Sequence, residues 1–378
     1  MKQNERIYVC HTFYHVYVAM LKECNLKKGT FGAADIALSS ISTDFGTLKE
    51  RLEKTYLGET RLFRNVIALD EKKEQFFPEL AKYRKNYNNV LKHFINRIIF
   101  TKKLPKCEEP YLGVIDFASY QDIYVFCDSD PIGYYLNYKK IHYHACEDGL
   151  DCLKNLDDAY VANHGHFGIK ALFSRLNLIF MMNGFSKYCL DMEVNNIAAV
   201  PGACDKLIEV PRKQLEQNVT SEQKKMFLTA FLEDADALME QLQGKEDGEE
   251  FAMFLTEPHP VDEEARKHVC LDIVKNYCQG YRVLIKPHPR DMIDYVSLCP
   301  DCVTIRGRFP IEVLNMIEGI HVKKAISIVT TAMDAIDFVD EKINLDASVW
   351  DDYEDPELHA YNKKAGLSLA NDREVKQS

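Results

Sequence analysis

A chain of 378 residues is long for a single core and suits two domains. Its 46% hydrophobic and 28% charged residues are those of a globular protein in water, and a formal net charge of −11 excludes a general nucleic-acid binder, which needs a basic surface for phosphates. No apolar run follows the start MKQNERIYVC, so a secretory signal is not expected, and the 12 cysteines, many inside apolar runs like Cys10, Cys127 and Cys146, read as reduced core residues of a cytoplasmic protein.

In chain order, RIYVC (6–10) predicts a first strand, followed by a helix through YHVYVAMLKEC. Strands are expected at 34–40, 65–70, 122–130 and 140–148, the last two separated by a short helix. This alternation of buried-type strands and helices predicts an α/β domain with a parallel sheet covered on both faces. Two longer segments, roughly 74–106 and 151–186, interrupt it, and 205–211 reads as the last strand of this half. A helix follows, with Phe227, Phe231, Ala235, Leu238 and Leu242 on one face and a capping box from Thr220 and Gln223. It ends in the acidic linker QGKEDGEE (243–250).

The pattern then restarts. FAMFLTEP, YRVLIKPHP, VTIRG and KAISIV predict strands, with helices at 262–279 and 310–318. The expected organisation is two Rossmann-like domains, 1–212 and 213–378. Ligands of parallel sheets bind beyond the carboxyl ends of the strands. Glu147-Asp148-Gly149 ends a strand of the first half and His288-Pro289 ends one of the second. Two such domains facing a central cleft would bring both groups to one ligand.

Glu147 and Asp148 can serve as a proton acceptor and its neighbour, or simply as acids favoured at a helix N-terminus. Asp128-Ser129-Asp130 matches a pair of oxygen ligands for a divalent metal, but a strand-end Asp-Ser-Asp-Pro is also good turn chemistry, and the turn is the preferred reading. Cys299 and Cys302 lack a second pair at zinc-site spacing and read as a turn. There is no Gly-rich phosphate loop and no nucleophile-elbow serine.

The ordered set of motifs, VCHTFYHVYVA near the start, the acidic pair before Gly149, Lys286-Pro287-His288-Pro289 and the hydroxyl pair Thr330-Thr331, resembles the bacterial sialyltransferases of glycosyltransferase family 52 over about 6–345. Those families often carry Ser-Ser or Ser-Thr at the last motif; Thr-Thr keeps both hydroxyls. The resemblance implies a GT-B fold and an inverting, metal-independent glycosyltransferase. It would move sialic acid from CMP-sialic acid, a substrate rather than a cofactor, to a glycan acceptor such as lipooligosaccharide or capsule. It implies Glu147 as the base, its pKa raised by the crowding of Asp148, with Asp148 shaping the turn or capping the next helix.

A rival base comes from the loop TEPHPVDEE, with Glu257, Asp262 and Glu263, acids that equally suit a helix first turn. His288 is expected to donate to the leaving phosphate, with His259 as the weaker candidate, and Lys286 and Pro289 to lie by the nucleotide. Glu312 would hold the ribose, and Thr330 and Thr331 would meet the phosphate at a helix start, a position where a threonine also simply caps. A hexosyltransferase of the same fold with another nucleotide sugar, or a non-catalytic nucleotide-binding scaffold, fits the same motifs.

Residues 82–106 and 166–188 are basic, acid-free and rich in large apolar side chains. Arg175 and the basic flanks make 166–188 a poor membrane span. Peripheral contact with the inner membrane surface is one reading; core packing or a homodimer contact is the other.

Overall fold

The computed structural model describes residues 4–26, 30–85, 87–150, 152–154, 166–199, 204–243, 249–257, 263–288 and 291–353. The chain divides into two compact units, Met1–Met226 and Phe227–Ser378.

The strands of the first unit are β1 (Asn4–Cys10), β2 (Ala34–Ser39), a small antiparallel hairpin of β3 (Tyr56–Leu57) and β4 (Thr60–Arg61), β5 (Asn65–Leu69), β6 (Tyr120–Phe126), β7 (Tyr143–Cys146), β8 (Cys189–Val194) and β9 (Leu207–Glu209). Seven of them form one sheet in the order β5-β2-β1-β6-β7-β8-β9, every pair parallel. Because each strand runs the same way, the loops after β1, β2, β5, β6, β7 and β8 all emerge at one edge.

Central β1 is buried on both faces: Ile7 and Val9 pack into a core with Ile132, Leu136 and Ala145, while Tyr8 stacks on Tyr124. Helix Phe13–Cys24 starts at Thr12, whose hydroxyl accepts from the His15 N–H. It is pinned to β1 by Glu23, which accepts from Arg6 Nε at 2.9 Å and from the Tyr8 hydroxyl at 2.7 Å. Helix Pro131–Lys139 begins with proline, whose missing N–H costs nothing there. Its Gly133 lies so close to the loop after β6 that a Cβ would sit 1.9 Å from the Asp128 carbonyl oxygen, so only glycine fits.

The second unit has β10 (Phe251–Leu255), β11 (Arg282–Lys286), β12 (Val303–Thr304), β13 (Val322–Ser327) and β14 (Val339–Asn344), again all parallel, in the order β12-β11-β10-β13-β14. Helix Glu263–Tyr277 covers it with Ala265, Val269 and Ile273. All 12 cysteines are free thiols, and Cys299 to Cys302 closes a turn through the Cys302 N–H and the Cys299 carbonyl at 3.0 Å.

Several elements differ from the expectation. Strand β8 was not expected, because Asp191 and Glu193 break its apolar pattern. Asp191 is met by His144 at 2.8 Å and Glu193 by Lys22 at 2.6 Å, so tertiary partners offset charges that read as loop. Strand β14, VDEKIN, is a mostly exposed edge and carries no apolar run. The helix after 220 is two, Ser221–Phe231 and Ala235–Gln243, because Asp234 accepts from the Ala237 N–H and starts a new one. The capping box is present: the Thr220 and Gln223 N–H groups donate to each other's side chains at 2.9 and 3.3 Å. The helices expected at 310–318 and after Thr331 are short 3-10 turns, Ile311–Met316 and Thr331–Ala335. The linker residues 244–248 lie outside the described residues. No helix of the described residues is long and apolar enough to cross a membrane.

Candidate active site

The parallel edge of the first unit collects a cluster of titratable groups. Glu71, just after β5, is buried. Its Oε2 accepts from His11 Nε2 at 2.8 Å and from the Ser39 hydroxyl at 2.7 Å, and its Oε1 accepts from the Ile132 N–H at 2.7 Å. Burial alone would discharge His11. The Glu71 carboxylate, with Asp130 and Asp148 farther off, instead raises its pKa to about 9. Asp130 approaches His11 Nδ1 at 3.8 Å, and burial raises Asp130 to about 6 against the pull of that imidazolium.

His15 follows one helical turn after His11, and its ring stacks on Phe126 at 4.5 Å. The His11 backbone N–H donates to His15 Nδ1 at 2.9 Å, so the ring proton is on Nε2, which donates to Asp148 Oδ1 at 2.8 Å. That tautomer is neutral, and burial keeps it so by lowering the His15 pKa.

The acidic pair after β7 splits in two. Glu147 is 1% exposed and its Oε1 accepts from the Asn195 N–H at 2.7 Å, which ties β7 to the end of β8. The Asp148 side chain is 55% exposed. Its partial burial would raise its pKa, but the His15 hydrogen bond and charges nearby bring it down to about 2. The reachable carboxylate is therefore Asp148, and its pKa is depressed by a donor rather than raised by its neighbour.

Asp128 is buried. Its Oδ1 accepts from the Asn183 N–H at 2.8 Å and its Oδ2 from the Tyr143 hydroxyl at 3.2 Å, so both oxygens hold the fold. Burial raises its pKa to about 6. Asp130 faces His11 instead, so the two aspartates of Asp128-Ser129-Asp130 do different work. Among the described residues, one trio with metal-ligand spacing stands at this edge: atoms of His15, Cys127 and Asp148 lie within 4.8 Å of one another.

In the second unit the loops after β10, β11 and β13 are tied together. The His288 N–H donates to Thr256 Oγ1 at 3.0 Å, and the Thr256 hydroxyl donates to Asp291, which also accepts from Arg266 and Tyr295. These bonds hold the half-buried His288 in place. Lys286 is buried with its ammonium 4.1 Å over the Phe309 ring and 2.9 Å from the Pro287 carbonyl. Burial lowers its pKa to about 7. It braces its own loop in this structure.

Glu257 Oε1 accepts from three successive N–H groups, Ile328 at 3.2 Å and Val329 and Thr330 at 2.7 Å each. Burial raises the Glu257 pKa against these donors. Three converging N–H groups form an anion nest, and here a side-chain carboxylate fills it. The Thr330 hydroxyl caps the following turn by accepting from the Ala332 N–H. Glu312 is half-buried in the first turn of Ile311–Met316. Glu263 pairs with Lys267 at 2.7 Å on the exposed helix start. His259, Asp262, Pro289 and the Thr331 side chain lie outside the described residues.

The structure thus brings together Glu147, Asp148, Asp128 and Asp130 at one edge, and Glu257, Lys286, His288 and Thr330 at another. Sequence reasoning missed His11, His15 and Glu71. The signal was the His11–His15 spacing of four within VCHTFYHVYVA; Glu71 had none.

The sequence profile of glycosyltransferase family 52 matches residues 114–345. The fold is similar to that of an alpha/beta-galactoside alpha-2,3-sialyltransferase from the luminous marine bacterium Photobacterium phosphoreum, at 13% identity and a TM-score of 0.52, over 91% of each chain. It is also similar to a sialyltransferase from Photobacterium damsela, at 13% identity and a TM-score of 0.50, over 89% of this chain and 73% of that one. At such identity the likeness shows the fold, which is of the GT-B class. No protein with a curated description matches the chain.

The His11 pair makes a pH prediction. A raised histidine pKa gives stability that is present below the unfolded value of about 6.5 and lost as pH rises through about 9. Chemical denaturation should show a fall of up to about 3 kcal/mol across that window, and His11→Asn should flatten it. Parallel pH curves for both proteins would show that His11 is neutral in the fold.

Proposed function

From the premise that the chain belongs to glycosyltransferase family 52 and is a glycosyltransferase, we propose that it transfers sialic acid from CMP-sialic acid to a glycan acceptor with inversion and without a metal. The observation that supports a transfer site is Asp148. It is an exposed carboxylate at the carboxyl edge of a parallel sheet, oriented by a buried neutral histidine.

In this reading Asp148 takes the proton of the acceptor hydroxyl. A carboxylate with a pKa of about 2 is a weak base. It suffices when transfer is late, after attack on an oxocarbenium-like carbon has made the hydroxyl acidic. His15 keeps the carboxylate in place and ionised. The sequence favoured Glu147 as the base; its burial and its bond to Asn195 give it a bracing role instead. His288 donates to the departing phosphate oxygen. The N–H nest of residues 328–330 receives the donor phosphate in exchange for the Glu257 carboxylate, and Glu312 stays assigned to the ribose.

Asp148→Asn should cost about 100- to 10,000-fold in single-turnover transfer with CMP affinity kept, because the amide accepts no proton. His288→Ala should behave likewise. Glu147→Gln should act mainly on thermal stability. An active Asp148→Asn beside an inactive, folded Glu147→Gln returns the base to Glu147. An inactive Glu257→Gln alone moves it to the second unit.

The donor class is tested by thermal shift with CMP, cytidine, UDP, UMP and GDP. CMP should stabilise most, and more than cytidine, because the nest meets its phosphate. A preference for UDP or GDP supports a hexosyltransferase, and CMP binding without transfer to any acceptor supports a scaffold. Transfer should persist in excess EDTA, since a monophosphate leaves less charge to neutralise than a diphosphate. Loss in EDTA with rescue by Mn²⁺ or Zn²⁺ would overturn the metal-free reading and direct attention to His15, Cys127 and Asp148.

Peripheral membrane contact belongs to the same reading. Val90, Leu91, Ile95, Ile169, Leu172 and Leu176 are exposed on the two helices that meet at Phe94 and Phe173, within acid-free basic segments. Cosedimentation with anionic but not neutral vesicles is expected, and equal recovery with both would remove it.

A further inference from the structure

Cys299 and Cys302 end a turn in the second unit. Pro300 follows the first cysteine, the Cys302 N–H donates to the Cys299 carbonyl at 3.0 Å, and β12 begins at the next residue. A turn closed this way holds its end Cα atoms within about 7 Å, against roughly 4.4–6.8 Å across a disulfide. Its spacing suits a bridge. The structure adds a third thiol that sequence spacing did not show. Cys270, on the helix Glu263–Tyr277, is buried with Cys299 in one core cluster, and half-buried Cys302 packs against it. Cys270 and Cys302 both stand in hydrogen-bond contact with the Cys299 sulfur.

These contacts have a direction. The hydrogen bonds from Cys270 and then Cys302 lower the Cys299 pKa against its burial, and the same bonds keep Cys270 and Cys302 protonated. A lone buried thiol is inert, but one that receives two S–H donors is the nucleophile of its group. The cluster also adjoins the bonds that hold His288. The Cys299 N–H donates to the Tyr295 carbonyl at 3.0 Å, and the Tyr295 hydroxyl donates to Asp291 at 2.7 Å. Cys270 stands one helical turn after Arg266, which binds Asp291 at 2.9 Å. Asp291 accepts in turn from Thr256, and Thr256 accepts from the His288 N–H. Two of the arms that meet at Asp291 therefore carry a thiol of the cluster.

We propose that Cys299 and Cys302 form a redox-modification site, which hydrogen peroxide converts to a disulfide, with Cys270 as the donor that prepares Cys299, and that the bridge displaces His288 through Asp291. In the first step the Cys299 thiolate attacks one peroxide oxygen. An S–O bond forms, the O–O bond breaks, and the hydroxide released takes up the proton that Cys299 gave up. The Cys302 sulfur then attacks the Cys299 sulfur. The S–S bond forms, the S–O bond breaks, and the departing hydroxide leaves as water with the Cys302 proton. Two thiols lose two electrons, and one peroxide is reduced to two waters. The effect on His288 rests on the role proposed for it at the leaving phosphate; the thiol chemistry does not.

The chemistry is read on the full chain without any sugar nucleotide. After brief hydrogen peroxide, the remaining thiols are blocked with N-ethylmaleimide, and the tryptic peptide Asp291–Arg306, which holds both cysteines, is weighed. It should be lighter than the reduced peptide by two hydrogens and carry no maleimide, and dithiothreitol before blocking should reverse both. Cys302→Ser should abolish the bridge. Cys270→Ala, or Cys270→Val should the first unfold, should slow it, and an unchanged rate removes Cys270 from the site. In the transfer assay the bridged protein should be about tenfold or more slower, with CMP affinity kept and recovery in dithiothreitol, since misplacing a catalytic group by about 1 Å can cost about 100-fold. Cys302→Ser should keep the basal rate and lose the peroxide response, which separates this site from the other cysteines. Both thiols blocked after peroxide, or a bridge from Cys299 to Cys270, overturns the site. A bridge that leaves transfer unchanged overturns its link to His288. A protein that forms the bridge yet transfers nothing from CMP-sialic acid loses the donor reading and keeps the thiol site.

Discussion

The working edge of the first unit depends on one buried carboxylate. Glu71 accepts from His11 after β1, from Ser39 at the end of β2 and from the N–H of Ile132 after β6, while itself following β5. A buried charge costs several kcal/mol unless it is fully bonded and paired. Three donors, one of them the His11 imidazolium, meet that cost, and in doing so they hold four chain segments in one register. The order passes outward: the His11 N–H sets the His15 tautomer, and His15 aims Asp148. The exposed carboxylate inherits its position from a group it never touches.

The second unit repeats the device with a different outcome. Glu257 also staples loops at the carboxyl ends of parallel strands, by taking three N–H groups after β13. Glu71 is buried and paired with an imidazolium; Glu257 is half-buried and, among the described residues, is met by amide N–H groups. Amides hold a carboxylate more weakly than a cation does, which is why the proposed exchange with a donor phosphate falls to this nest. Lys286, expected from the sequence at the nucleotide, lies over Phe309 and by the Pro287 carbonyl in this structure.

Electrostatics also sorts the acids by use. Asp128, Glu147 and Glu193 lie inside and spend their oxygens on N–H, hydroxyl or ammonium groups of the fold. Asp148 alone of the acidic pair reaches water. Charge that reads as surface in a linear chain thus becomes bracing in one place and a solvent-facing carboxylate in the next, and adjacency in sequence is no guide to which.

Much of the architecture was legible because it is written in local periodicity. Short apolar runs alternating with helical patterns determined two parallel α/β units, and the capping box at Thr220 and Gln223 is a local pairing that sequence spacing alone specifies. Among the strands that escaped, β8 and β14 are ones whose charges are met by residues from elsewhere in the chain. The site was legible only to the level of the motif. Glu147 and Asp148 are equal in the sequence; just past the end of β7, Glu147 turns inward to the Asn195 N–H and Asp148 turns to His15 and the surface. Glu71 stands 60 residues from His11, and only the closing of the sheet joins them. The sequence by itself determined which residue types crowd the ends of the strands. The tertiary structure decided which of them are buried, which are paired and which stay exposed, because burial and hydrogen bonding depend on neighbours brought from far along the chain.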